Sequence, residues 1–323
     1  MTILPRSWHW PDNPVDRPGC VSVGSCAGDL WATGSAFRSP VRDRRVEACG
    51  VRTGQRSAAM DGVLLVAHGS LRAGADTTLR AVVAELNATW KVDRTEPRQA
   101  LGCFLNYGEP LLEAGFAKLA AMGATTVRVQ PYFLFGGQYT RRDLPQRLRA
   151  LDRRWPAVGS VLGPEIAEHP AWTRAVMELA LPAIDPSDPE QGCLFVVHGS
   201  RYEPAVEQVR RMTGRLREVL SPVPVATGYL DVEQPDVLTA ASNLYDEGIR
   251  RLCVVPVLLS AGRHTREDVP RAIGLFQHRH PDCVVVLTDH LGETTFLTPI
   301  LRDLVSKAID LDSATVEATG MPA

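Results

Sequence analysis

Residues 193–204 read CLFVVHGSRYEP, and residues 62–72 read GVLLVAHGSLR. In each stretch a short, unbroken apolar run ends at His-Gly-Ser. Such a run without polar alternation is expected of a strand buried on both faces, as in the middle of a parallel sheet. The residues that follow, AVEQVRRMTGRLREVL over 205–220, carry apolar side chains at helical spacing. Strand, turn and helix in that order open a βαβ unit, and this chain opens one twice.

The repeat extends well beyond the opening motif. His68 and His198 are 130 positions apart, and later landmarks hold an offset of 125. Pro110 then matches Pro235, Gly123 matches Gly248, Pro131 matches Pro256, and Asp143 and Pro145 match Asp268 and Pro270. In the second copy, PVPVATGYLD reads as a strand and PDVLTAASNLYDEG as a helix closed by Gly248. IRRLCVVPVLLS is again a strand, REDVPRAIGLFQHRHP a helix and CVVVLTDHLG a strand. Strict alternation predicts an α/β fold of two tandem units, each an open parallel sheet with helices on both faces, related by a pseudo-twofold axis. The expected boundaries are 60–184 for the first unit and 185–310 for the second, joined near the Pro-, Asp- and Ser-rich stretch 181–192, with a C-terminal tail at 311–323. Residues 1–59 lack sustained periodicity and the pattern of a signal peptide, although they hold three of the six tryptophans. They are expected to be a disordered tail or the product of an upstream start, with Met60 opening the folded part.

The totals exclude several classes. A net charge of −2 over 323 residues gives no bulk attraction to nucleic acid or to a membrane surface. Hydrophobic residues at 45% support a large core, yet no apolar run approaches the roughly 20 residues of a membrane span. Seven cysteines with no C-x-x-C pair suit neither a disulfide framework nor a zinc ribbon, and the expected location is the cytoplasm.

In open parallel sheets, ligands bind beyond the carboxyl ends of the strands. His198 stands at such an end, with Gly199 and Ser200 starting a turn whose free N–H groups can face an anion. His264 follows a later strand and Asp231 a third, so two imidazoles and a carboxylate gather on one edge. The set can hold a divalent transition metal with open coordination positions, or act as an acid–base pair. In the first unit Tyr139 stands where His264 does, Asn106 where Asp231 does and Leu71 where Arg201 does, which leaves His68 alone of the polar set. The second unit is expected to carry the chemistry, with His68 facing the cleft from the opposite side.

The combination VVHGSR … YLDxxxP … VVPVLLSAGRHTREDVP resembles the CbiX/SirB family of sirohydrochlorin chelatases, class II chelatases, over residues 61–305. The resemblance implies a bilobal fold with the tetrapyrrole in the cleft. It also implies an ATP-independent lyase that inserts Co²⁺ or Fe²⁺ into sirohydrochlorin toward cobalamin or siroheme. His198 and His264 match the family's metal-handling histidines, and Asp231 falls where the family usually carries glutamate. The expected roles are His198 and His264 as metal ligands and proton acceptors, with Asp231 orienting them or completing the shell. Sirohydrochlorin is rich in carboxylates, so Ser200, Arg201, Arg263, Arg266 and His68 are the expected substrate contacts. No cofactor beyond the metal substrate is implied, and a monomer is expected because the two units are already fused.

Other readings of the same residues are nickel or porphyrin metallation, a non-catalytic metal or tetrapyrrole carrier, and a phosphoryl-transfer or hydrolase enzyme using His198. The last leaves Asp231 and His264 without a need. His278 and His280 are expected on the surface at a helix's far end. His290 ends the last strand and so could reach the same mouth, while His9 and His169 carry no signal.

Overall fold

The computed structural model describes residues 60–70, 77–92, 98–260, 262–293 and 297–306; the expectations for 1–59 and 311–323 lie outside the described residues. The first half runs β1 (Met60–Gly69), α1 (Thr77–Val92), β2 (Arg98–Tyr107), α2 (Leu112–Ala121), β3 (Ala124–Pro131), α3 (Leu144–Arg154), β4 (Gly159–Leu162) and α4 (Trp172–Ala180). The second repeats this as β5 (Gln191–Val197), α5 (Glu203–Leu220), β6 (Val225–Tyr229), α6 (Val237–Asp246), β7 (Arg251–Pro256), α7 (Val269–Arg279), β8 (Val284–Leu287) and α8 (Leu297–Ser306). A five-residue π-helical turn precedes α3 at Tyr139–Asp143 and α7 at His264–Asp268.

Each half forms a four-stranded parallel sheet, in the order β2-β1-β3-β4 and β6-β5-β7-β8. The connections leave the first strand of each half in one direction and then reverse, so the crevice for a ligand opens between the ends of β1 and β3, and of β5 and β7. The unbroken apolar runs are explained by burial on both faces. Val63 and Leu65 of β1 and Cys193, Phe195 and Val197 of β5 enter one core shared by both halves. Their sheet-neighbours Leu64 and Val66, and Leu194 and Val196, point into separate outer cores closed by α2 with α3 and by α6 with α7.

The halves are interlocked through their last helices. α4, which ends the first half, packs on α5 and β7 of the second, and α8, which ends the second, packs on α1 and β3 of the first. Trp172 of α4 and Leu301 of α8 are both buried in the shared core. Polar contacts accompany the exchange: the Thr298 hydroxyl donates to Glu85 at 2.7 Å, and His169 meets Asp303 at 2.6 Å. The stretch between the halves belongs to this packing as well, since Leu181, Ala183 and Ile184 lie against the shared core. No described helix is long and apolar enough to cross a membrane.

Candidate active site

β5 and β7 run in parallel register, with Val196 opposite Pro256, so their ends stand level. His198 follows β5 directly. Its Nδ1 lies 3.3 Å from the carbonyl of Gly199, which leaves Nε2 facing outward. Gly199 is required by the turn: its φ is +91°, and a Cβ there would come within 2.1 Å of the Asp231 carbonyl oxygen. His264 opens the π-helical turn before α7, four residues ahead of Asp268, a spacing that places the two side chains on one face. His264 Nδ1 donates to Asp268 Oδ2 at 2.8 Å. A carboxylate can only accept, so the proton sits on Nδ1 and the Nε2 lone pair is available. The His198 and His264 rings meet edge to face, 4.7 Å between centroids at an interplanar angle of 87°.

The first half repeats the arrangement with a phenol. His68 and Tyr139 meet with centroids 4.5 Å apart at 62°, and Tyr107 lies 5.7 Å away on another side of the imidazole. His68 Nδ1 is 3.1 Å from the Gly69 carbonyl, and Asn106 Nδ2 is 3.4 Å from Nε2. Both pairs line one cavity of about 770 Å³ between the halves. Its remaining walls are largely apolar and aromatic, including Phe104, Tyr132, Phe135, Tyr202, Tyr229 and Leu259. That volume lies in the range of small-molecule sites, roughly 300–1,000 Å³.

The structure separates the residues singled out from sequence. His68, Ser200, Arg201, His198 and His264 line the cavity together. Asp231, Arg263 and Arg266 are not among its lining residues. Asp231 follows β6, which lies on the side of β5 away from the β5–β7 crevice. Its carboxylate accepts from Val232 N at 2.9 Å, and its backbone N donates to the His198 carbonyl at 2.9 Å, so it braces the His198 turn from behind. Among the described residues no group of three or more His, Cys, Asp and Glu side chains is placed to hold a metal ion. The expected three-residue set is therefore not assembled; two imidazoles are. Arg263 turns to Asp268, with Nε 3.3 Å from Oδ1. Ser200 lines the cavity while its hydroxyl accepts from Tyr202 N at 3.1 Å. His290 is buried and does not line the cavity, and His280 packs its ring on Tyr245, 4.0 Å between centroids.

Sequence reasoning passed over Asp268, although its i+4 spacing from His264 was a usable signal. It also missed a polar clasp under the cavity. Gln208 of α5 accepts from Gly136 N at 2.6 Å and donates to Glu168, while buried Glu165 holds Thr140 at 2.7 Å and Arg141 at 2.8 Å. Together these contacts fix the loop that presents Tyr139, and no local pattern announces them.

The family model described as CbiX matches residues 62–181 and again 192–308. The chain belongs to the CbiX family. The two CbiX segments coincide with the two sheets, and each carries one of the His-Gly-Ser turns. Among similar proteins, the sirohydrochlorin cobaltochelatase of Methanothermobacter thermautotrophicus is 31% identical over 136 residues, covering 38% of this chain and 94% of that protein. That relative has the length of a single half. The sirohydrochlorin ferrochelatase of Priestia megaterium is 25% identical over 214 residues, 63% of this chain and 74% of that protein. Two solved structures share the fold. SirB from Bacillus subtilis with Fe³⁺ gives a TM-score of 0.67 at 23% identity over 79% of this chain and 98% of that one. The sirohydrochlorin chelatase SirB from Bacillus subtilis subspecies spizizenii in complex with cobalt gives 0.62 at 20% identity, over 79% and 97%. The CbiX architecture is thus carried twice in one chain, as two parallel four-stranded sheets.

Proposed function

We propose that this chain is an ATP-independent sirohydrochlorin chelatase that inserts Co²⁺ or Fe²⁺ into the macrocycle, for cobalamin or siroheme synthesis. The observation that carries the reading is the His198–His264 pair on the wall of a cavity sized for a small molecule. Two neutral imidazole nitrogens form a site that takes up a borderline divalent metal and can release it, which delivery requires. His198 and His264 receive the metal substrate through Nε2. Asp268 keeps the His264 proton on Nδ1 and leaves the Nε2 lone pair open. Apolar and aromatic walls accommodate the flat ring, and Arg201 and Ser200 meet its peripheral carboxylates. Asp231 contributes through the backbone by fixing the His198 turn. The protein works as a monomer, because the shared core already supplies the second half of the cleft. Its four described cysteines are buried thiols, in keeping with a reducing cytoplasm.

The test is anaerobic absorbance spectroscopy of the protein with sirohydrochlorin and Co²⁺ or Fe²⁺, beside His264→Ala. Conversion of the free-base spectrum over many turnovers, lost in the variant, is the expected result. Stoichiometric binding with no turnover for any metal would replace the enzyme by a carrier.

A further inference from the structure

Residues 132–140 of the first half all line the cavity except Gly136. Its N–H turns the other way and donates to Gln208 Oε1 of α5, in the second half, at 2.6 Å. Gln208 likewise stands behind the lining of its own helix, where Ala205, Val206 and Val209 face the cavity. The buried Gln208 amide also donates from Nε2 to Glu168. Only an amide side chain can accept from a backbone N–H and donate to a carboxylate at once with this reach. On its far side Gly136 is pressed against an ion pair of the first half. A Cβ there would stand 2.8 Å from Arg141 Nε and 3.0 Å from Glu165 Oε1, which leaves the backbone little room to move away from α5.

The repeat shows that the fold does not require this joint. Leu79 of α1 stands where Val209 stands on α5, and both line the cavity. By the same correspondence Thr78 takes the place of Gln208, Ala261 that of Gly136 and His290 that of Glu165. Three members are exchanged together, so the joint is written on one side of the pseudo-twofold axis only. Its position matters for the cleft. α5 follows the His198 turn and begins after Tyr202, a cavity residue, while the loop at Gly136 leads into the turn that presents Tyr139. Gln208 therefore ties the wall that carries His198 to the wall that carries Tyr139.

We propose that Gln208 is a positioning residue for the macrocycle: by joining Gly136 to α5 and Glu168 it sets the spacing of the two cleft walls. This rests on the chelatase reading above. A fixed spacing holds a flat ring between the walls before and during metallation alike, so its loss is felt in KM rather than in kcat. The metal pair lies wholly on the second-half wall, and its geometry does not depend on that spacing.

The experiment compares wild type with Gln208→Met, which keeps the shape and loses both hydrogen bonds, and Gln208→Glu, which keeps the acceptor for Gly136 but sets a carboxyl against Glu168. The charged groups around that carboxyl are Glu168, Arg211 of α5 with Nη2 4.0 Å from Glu168 Oε1, and the Glu165–Arg141 pair beyond Gly136. Two carboxyls in contact share a proton, and the pKa of one is raised. The joint then closes while that proton is held and opens as the pH rises through the raised value. Sirohydrochlorin KM and kcat with Co²⁺ are measured against pH. Sirohydrochlorin affinity without metal is followed by absorbance titration, Co²⁺ affinity by calorimetry, and the 132–140 segment by deuterium uptake. Gln208→Met should raise KM and the sirohydrochlorin Kd about 10-fold at every pH, with faster deuterium uptake in the segment. Gln208→Glu should match wild type at about pH 5 and approach the methionine variant at about pH 8. Co²⁺ affinity and kcat should follow wild type throughout. If the methionine variant fails to fold, the pH series of the glutamate variant still decides. A lowered Tm with unchanged KM, or a loss that follows Co²⁺ affinity and kcat instead, would overturn the assignment. A wild type that binds sirohydrochlorin without metallating it would remove the chelatase reading, and the Kd and deuterium uptake would still decide the role of Gln208.

Discussion

His264 and Asp268 act as one unit: the carboxylate sets the tautomer, and the tautomer sets which nitrogen keeps an open lone pair. Asp268→Asn keeps the shape but offers a weaker, uncharged acceptor. It is expected to lower metallation rate or Co²⁺ affinity by about 10- to 100-fold, the usual effect of losing a carboxylate behind a metal-binding imidazole. Initial rates and Co²⁺ titrations check this. A converse experiment exploits the repeat. Tyr139 corresponds to His264, and Asp143 stands four residues on, as Asp268 does. Tyr139→His should therefore add a second Co²⁺ site next to His68, read as doubled Co²⁺ stoichiometry in equilibrium dialysis. Unchanged stoichiometry would mean that the two walls differ by more than this ring. His198 and His68 were legible because a buried apolar run stopping at His-Gly-Ser marks the carboxyl edge of a sheet, and His264 because it follows a later strand of the same unit at that edge. Asp231 also stands at a strand end, that of β6, yet it is not among the residues lining the cavity, although Tyr229 of the same strand is.

At the scale of elements, short charged contacts hold the outer helices to the sheet edge. Arg147 of α3 grips Glu113 of α2, with Nε to Oε1 at 2.7 Å. That hydrogen bond, partly opposed by burial, holds the Glu113 carboxyl below its ordinary value of 4.5. A carboxyl lowered in the folded state contributes stability that is fully present above its unfolded value and is lost as the pH falls through the lower, folded one. Glu113→Gln should thus reduce stability at neutral pH slightly and flatten its decline below about pH 4.5, measured as Tm against pH. The effect is modest because the side chain is 41% exposed. The element order and the parallel sheets followed from apolar runs alternating with amphipathic stretches. The π-helical turns did not, since Tyr139–Asp143 and His264–Asp268 differ from ordinary helix starts only in backbone geometry.

For the molecule as a whole, the exchanged helices make the halves depend on each other. Trp172→Ala in α4 removes a fully buried ring from the core under the second half's sheet and should cost about 3–5 kcal/mol, while Leu301→Ala in α8 should cost about 2–5 kcal/mol. Because that core is common to both sheets, each substitution should shift one cooperative thermal transition rather than split it. Two resolved transitions in calorimetry would show that the halves unfold independently.

By itself the sequence determined the repeat, the strand–helix alternation and the strand-end histidines, because periodicity and turn chemistry act over a few residues and are written locally. Only the tertiary structure decided that α4 and α8 cross over, that the Asp268 carboxylate meets the His264 ring while Asp231 reaches His198 through its backbone, and that His68 shares a cavity with His198 and His264. An amphipathic helix states that it has an apolar face, not which sheet will cover it. A residue at a strand end states which edge it occupies, not which neighbouring strand will bring it a partner.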